Sequence, residues 1–275
     1  MTKVKRFSIH EVKNDDGKIS ISIICDESGT YIYSTPGSDT VDIQRNGNSF
    51  TKTGEIHSIS SELCEEFIEN GLLECEIFEL NNTTIPIPKS LQKIHCNQFL
   101  SFCLGDQKVK FWLELVDGPM EILNITEKEI IEGMGGMEQL RNVEKQLMLC
   151  ECDMNDEQLD GIKELGTMVL NSPNITEKGV KKRLENWLES YPEPGSVLEF
   201  RFKPSSPDFD KNSIFSHLMK AEISWKRSFE FTISFTLNSG RILEYDGHYF
   251  DGNEGFHLMK IVIPMDWKPK HRDDF

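Results

Sequence analysis

No stretch of this 275-residue chain approaches the roughly 20 consecutive apolar residues that span a bilayer, so the text contains no candidate helical membrane anchor. The opening run from Met1 to Lys18 is basic for a few residues and then acidic, without the apolar centre of a secretory signal. Positive charge is scarce: 30 Lys and Arg face 46 Asp and Glu, for a formal charge of −16 and a pI near 4.9. A phosphate backbone or an anionic membrane surface meets repulsion over most of such a surface, and the expectation is no nucleic acid, no membrane and a basic protein ligand. Cysteine is sparse and odd in number, seven in all. Seven thiols spread through a leaderless chain read as reduced, which points to the cytoplasm or nucleus. The sequons at Asn81, Asn82, Asn124 and Asn174 are then chance matches.

Catalytic and metal signatures are lacking as well. There is no G-x-S-x-G, and His10, His57, His217, His248, His257 and His271 have no nucleophile motif beside them. Cys150 and Cys152 with His95 and Cys96 make four potential zinc ligands, but "LMLCEC" reads as a strand whose alternation turns both cysteines away from Leu149, and structural zinc prefers C-x2-C knuckles. Gly133 to Gly136 reads as a turn ending a helix rather than a phosphate loop, because no Lys-Ser or Lys-Thr follows. Asp246, Asp251 and Glu254 miss the calcium-loop spacing and read as strand-connecting turns. The expectation is no catalytic residue, no metal and no cofactor. An enzyme whose site is assembled from distant residues, hydrolase-like, is the alternative from another class.

What is present is short apolar runs separated by turns. From Lys18 to Arg45, β-branched and aromatic residues alternate with small polar ones, the pattern of strands joined by turns. The segment "SISSELCEEFIEN" predicts one helix, with Ser60 or Ser61 as N-cap, acids in its first turn, Leu63, Phe67 and Ile68 on its apolar face, and Asn70-Gly71 as its stop. Six runs then read as strands: Leu72 to Leu80, Leu91 to Cys96, Val109 to Val116, Lys145 to Cys152, Thr167 to Asn171 and Ser196 to Phe202. Thr126 with Glu129 and Asn155 with Gln158 look like capping boxes between them. From Phe229 onward, three apolar runs and two turns predict an antiparallel meander, with the proline-rich stretch from Arg201 to Asn212 as linker.

The pentapeptide "NITEK" occurs at Asn124 and again at Asn174. Each copy reads as the turn from a strand into a helix. In one template Leu147, Leu149, Met154 and Leu159 correspond to Met168, Leu170, Ile175 and Val180, with Cys152 small enough to sit in the bend. Such units each need a neighbour to cover their apolar side. This grammar resembles a leucine-rich repeat, in the variety with cysteine at the asparagine position used by F-box leucine-rich-repeat proteins.

The run "NITEKGVKKRLENWLESYPEPGSVLEFRF" also resembles the F-box-associated regions of the large nematode F-box families. The matching positions are Leu184, Trp187 and Leu188, then Gly195, Ser196, Leu198 and Glu199, and the later "FTLNSGRILEYDG" with "GFHLMKIVIP" is similar to that family's closing β segment. The resemblance covers about Ser60 to Pro264. It implies the substrate-binding half of a ubiquitin-ligase adaptor. Residues 1–50 show no Leu-Pro start and no F-box helices, so the ligase-docking half has no counterpart there.

The expected fold is α/β: a β-rich segment over residues 1–57, a short leucine-rich-repeat-like βα array over 58–203, and an antiparallel β segment over 213–267. The expected function is non-enzymatic protein recognition. Trp112 and Trp187 read as core; Trp225 and Trp267, flanked by Lys and Arg, read as the partner-binding aromatics.

Overall fold

Apolar residues two apart recur through the first fifty residues, as at Phe7 and Ile9, Ile19, Ile21 and Ile23, and Val41 and Ile43, and in a pleated strand that spacing puts them on one side. The computed structural model, which describes residues 4–26, 28–34, 37–103, 108–190, 192–216, 218, 221–236, 242–251 and 256–263, shows the consequence. Strands β1 (Val4–Lys13), β2 (Ile19–Cys25), β3 (Ser28–Ser34), β4 (Thr40–Arg45) and β5 (Asn48–Thr53) pair antiparallel in sequence order. Ile21, Ile32 and Ile43 face one another across them and are buried. Among the described residues the chain is mixed α/β, with sixteen strands and five α-helices, and it divides into two compact units, Met1–Glu129 and Ile130–Phe275.

In the first unit β1 also pairs, now parallel, with β6 (Leu72–Asn81), β6 with β8 (Gln98–Phe102), and β8 with β9 (Met120–Ile131). The short β7 (Lys93–His95) pairs with β6 off this path. Parallel register lines up Phe7, Phe78, Phe99 and Leu123 as one buried row. Helix α1 (Ile56–Cys64) starts earlier than its serines suggested: Glu55 is the N-cap residue, without a side-chain cap, and the first turn has no acid. Ser60 is instead buried inside the helix and donates to the Ile56 carbonyl at 2.7 Å, the local back-bond open to a helical serine. The helical path closes with a 3₁₀ turn at Glu65–Phe67, and Asn70 and Gly71, at φ 52° and 80°, form the turn into β6.

The run from Val109 to Val116 is not a strand. Lys108–Glu114 is helix α2, because the apolar positions Val109, Trp112, Leu113 and Val116 recur at 3, 4 and 7 while Phe111 between them is 53% exposed. Trp112 is core as expected, its ring 5.6 Å from that of Phe78.

The first NITEK also departs from expectation. Residues 124–128 lie within β9, where Leu123, Ile125 and Glu127 turn inward, so Thr126 caps nothing. Gly133 to Gly136 therefore follows a strand. Gly133 takes φ 74° and Met134–Gly136 form a 3₁₀ turn ahead of the short α3 (Glu138–Arg141). A Cβ on Gly135 would stand 2.4 Å from the Met154 Cα, so this turn packs directly on backbone.

The second unit continues with β10 (Val143–Cys152), α4 (Asp156–Asp160), β11 (Thr167–Asn171), α5 (Glu177–Glu189) and β12 (Val197–Phe202). The three strands are parallel and adjacent, with Leu147 opposite Met168 opposite Leu198, and Leu149 opposite Leu170 opposite Phe200, all buried. Met154 and Ile175 are buried in the following bends. Asn155 and Gln158 form both bonds of a capping box, and Thr176, in the second NITEK, caps α5 by accepting from Lys178 N–H. Helix α5 buries Val180, Leu184, Trp187 and Leu188, each apolar side chain contributing roughly 1.5–3 kcal/mol to the fold.

Pleat alternation fails at one point. Glu151 has φ 64°, which turns Cys152 back to the side of Leu149, where it is buried; Cys150 is only half-buried, so the two cysteines do not share a face. Burial pushes the Cys152 thiol up to about 12, and its Sγ lies 3.5 Å from the Asn171 carbonyl.

Strand β12 then pairs antiparallel with β16 (His257–Val262), which pairs with β15 (Ile242–Asp251), then β14 (Glu230–Thr236), then β13 (Ala221–Trp225). Asp246 to Asp251 are strand rather than turn.

Candidate functional site

Carboxylates at loop and helix starts stitch the units of the second half together. Asp153 accepts from the backbone N–H of Gly133 and Gly135, Asp156 from Thr176 N–H at 2.8 Å and Thr176 Oγ1 at 2.6 Å, and Glu177 from Ser205 N–H at 2.8 Å and Oγ at 2.6 Å. Gly179 makes room for this, since a Cβ there would fall 2.3 Å from Asp156 Oδ1. Asp156 and Glu177 stand in the first turns of α4 and α5, while Asp153 precedes the α4 cap; the reach of all three into the neighbouring unit depends on register and has no signature in the sequence.

With the helices and bends burying one set of strand residues, the alternate set forms the opposite face. One row across it is Gln146, Thr167, Val197, Val262 and Asp246; the next is Met148, Val169, Glu199, Lys260 and His248; the third is Asn171, Arg201, Leu258 and Phe250. All are half-buried or exposed. Apolar Met148, Val169, Val197 and Leu258 are mixed with Lys260 paired to Glu199 at 2.6 Å, Arg201 lying 4.9 Å over the Phe256 ring, and Asp246 paired to Lys226 at 2.6 Å. Lys226 and a Thr232 hydroxyl hold the Asp246 carboxyl below the ordinary carboxylate range. Such a mixture of apolar surface and pinned charge suits a polypeptide partner.

Trp225, one of the two aromatics expected to bind a partner, ends β13 and is half-buried. Its ring lies 5.2 Å from Phe231, 6.2 Å from Phe215 and 6.4 Å from Tyr249, its Nε1 donates to Asn212 Oδ1 at 2.8 Å, and Lys211 Nζ stands 4.0 Å above it. Beside this cluster opens a cleft of about 430 Å³ lined by Phe209, Lys211, Phe229, Tyr249, Phe250 and His257. It has no signature in the sequence, since four separate segments supply its walls. Trp267 lies outside the described residues.

Elsewhere, His57 in the first unit is engaged at both ring nitrogens, by Glu55 at 3.0 Å and Glu11 at 3.2 Å, while Glu11 also accepts from Thr84 N–H at 2.7 Å. Hydrogen bonding to Glu11 raises the His57 pKa against the opposing effect of burial. Burial pushes the Glu11 carboxyl up, but the bonds from His57 and Thr84 outweigh it and leave it lowered. An imidazolium held between two carboxylates is a charged strut, with neither nitrogen left to move a substrate proton. Among the described residues, no three His, Cys, Asp or Glu side chains gather as a metal site, and no helix is long and apolar enough to cross a membrane.

No family model, characterised protein or solved structure matches the chain.

Proposed function

We propose that this protein is a non-enzymatic protein-recognition module whose β10–β11–β12 segment acts as a short, irregular leucine-rich-repeat-like array. The observation that carries the reading is the row of Met148, Val169, Glu199 and Lys260: side chains from four adjacent strands, aligned by register and left on the face opposite the helix-covered core. A surface of that kind offers area and fixed charge, which protein interfaces use, rather than an enclosed pocket around paired acid and base groups. The partner is a basic protein, drawn by the charge of −16, in the cytoplasm or nucleus. The resemblance to nematode F-box-associated regions makes it the counterpart of a substrate-binding half, and a role as a ubiquitin-ligase substrate adaptor is the corresponding process.

The experiment is affinity capture, followed by titration of the purified partner against the wild type and the strand-face variants Met148→Glu and Val169→Glu. Binding should weaken at least ten-fold in both variants, with melting temperatures close to wild type. Unchanged affinity in both would sink the strand-face reading. Failure to retain the adaptor subunit of a cullin-type ligase would remove the ligase role alone.

A further inference from the structure

Strands β2 to β5 have two faces, and the buried isoleucine row fills one of them. The residues between point the other way, and register aligns them in two rows: Ser22, Tyr31, Gln44 and Ser49, then Ser20, Tyr33, Asp42 and Thr51. Tyr31 and Tyr33 are 44% and 41% exposed, with buried Ile32 between them, and two residues along a strand places them about 6–7 Å apart. Tyr31 lies over Gly29, where a Cβ would stand 2.9 Å from its Cε2 and Oη. The glycine thus lets this ring lie along its own strand. Beside it opens a pocket of about 340 Å³, walled by Gly29, Tyr31, Gln44, Ser49 and the two-residue turn at Asn46 and Gly47, whose φ values are 50° and 77°.

The chemistry of these walls selects the guest. Of the described lining residues only Arg45 is charged, and register puts it on the isoleucine side, where it pairs with Glu66 and lies 6.0 Å from the Phe67 ring. A phosphate or carboxylate guest would find no free cation. Gln44, Asn46 and Ser49 can each donate and accept, and among the described residues none of the three makes a side-chain hydrogen bond. An apolar guest would strip these groups of water and leave them unpaired. The core of a protein interface is roughly 65% non-polar, whereas the tyrosine rings are the only large apolar side chains in the two rows. Asp42 accepts from Thr51 Oγ1 at 2.9 Å, and the remaining lone pairs of its carboxylate suit further hydroxyl donors. The guest that fits has hydroxyls that donate and accept around a ring, and C–H groups whose slight positive charge is drawn to the negative face of an aromatic ring.

We infer that the face carrying Tyr31 and Tyr33 is a binding site for a neutral oligosaccharide, with the two rings as stacking platforms for its sugar units and Gln44, Ser49 and Asp42 as partners of its hydroxyls. The inference goes beyond the protein-recognition reading and does not depend on it, because it uses other strands in the other unit.

The test is isothermal titration calorimetry of the full chain with four neutral trimers: cellotriose, maltotriose, mannotriose and chitotriose. Anionic trigalacturonate and cationic, deacetylated chitotriose are the charge controls. At least one neutral trimer should bind, about ten-fold or more tighter than either charged one. Tyr31→Ala and Tyr33→Ala should each weaken that binding at least ten-fold while melting close to wild type, since both rings stand largely in water. Tyr31→Phe keeps the ring and should stay within about three-fold of wild type. Gly29→Ala retains both tyrosines but displaces the Tyr31 ring, and should weaken binding at least three-fold. Binding of none of the neutral trimers overturns the proposal, as does equal binding of the charged trimers or full binding by the variant that combines Tyr31→Ala with Tyr33→Ala. If the tyrosine variants lose a captured protein partner while no trimer binds, the face is a protein interface and the sugar assignment falls.

Discussion

At the scale of single residues, His57 shows how an isolated histidine in the text becomes a structural charge. In the sequence it had no motif; in the fold, β1 brings Glu11 and the start of α1 brings Glu55 to opposite sides of the ring. The pH dependence follows from the directions of the shifts. A histidine whose folded pKa is raised above its ordinary 6.5 stabilises fully below that value, and the contribution is lost as pH rises through the folded value. Glu11 and Glu55, lowered from 4.5, contribute above 4.5, and their share is lost as pH falls through their folded values. The cluster is therefore at full strength between pH 4.5 and 6.5. In urea titrations across pH, His57→Gln should flatten the decline that the wild type shows as pH rises above 6.5, where a raised histidine loses its proton. A variant whose alkaline decline parallels the wild type would show that His57 is not a charged strut.

At the scale of elements, the two copies of NITEK are an internal experiment on context. Composition alone favours a helix start in both, with threonine able to cap and glutamate welcome in the first turn. What decides is the sequence downstream. After the second copy, Val180, Leu184, Trp187 and Leu188 follow at 4, 3 and 1, a helical face that buries itself. After the first, Ile130 and Ile131 run directly into Gly133, and no such face exists; Leu123, Ile125 and Glu127 alternate inward instead, in parallel register with β8. Thr176→Ala should cost about 1–2 kcal/mol, since it removes the α5 cap and the bond to Asp156. Thr126→Ala, where among the described residues the hydroxyl donates only to Asn124 at 3.3 Å, should cost less than half as much, and denaturant midpoints of the two variants give the comparison. Equal costs would mean that the cap at Thr176 contributes little. The same logic separates what was legible from what was not. Strands β6, β10, β11, β12, β14, β15 and β16 announced themselves through compact apolar runs. Helix α2 was hidden because Val109 to Val116 is nearly continuous in apolar residues, and only the exposure of Phe111 reveals its period. Strands β8, β9 and β13 are broken by polar residues that the fold buries or pairs, as it does Ser101 with Glu127. The aromatic cleft had no local signature at all.

At the scale of the whole molecule, charge sets a competition that magnitudes can decide. Lys and Arg are outnumbered, and several that pair do so on the surface, as Lys93 does with Asp117, Lys182 with Asp160, Lys226 with Asp246 and Lys260 with Glu199. Exposed pairs of this kind contribute roughly 0–1 kcal/mol each and weaken as salt is added. Against them stands the mutual repulsion of a formal charge of −16, which is felt more strongly in the compact chain than in the expanded one. Screening relieves that repulsion once the Debye length falls below about 10 Å, near 0.1 M salt. Repulsion summed over the surface outweighs a few exposed pairs, so at pH 7 sodium chloride should raise the melting temperature between about 20 mM and 0.5 M, by roughly 2–4 °C for each kcal/mol recovered. Near pH 4.9, where the sequence carries no net charge, the same addition should leave the melting temperature unchanged or lower it, because only the pairs remain to be screened. Calorimetric scans at the two pH values make the comparison directly. A fall in melting temperature with salt at pH 7 would mean that the ion pairs, including those that pin the strand face, stabilise the fold more than their exposure indicates.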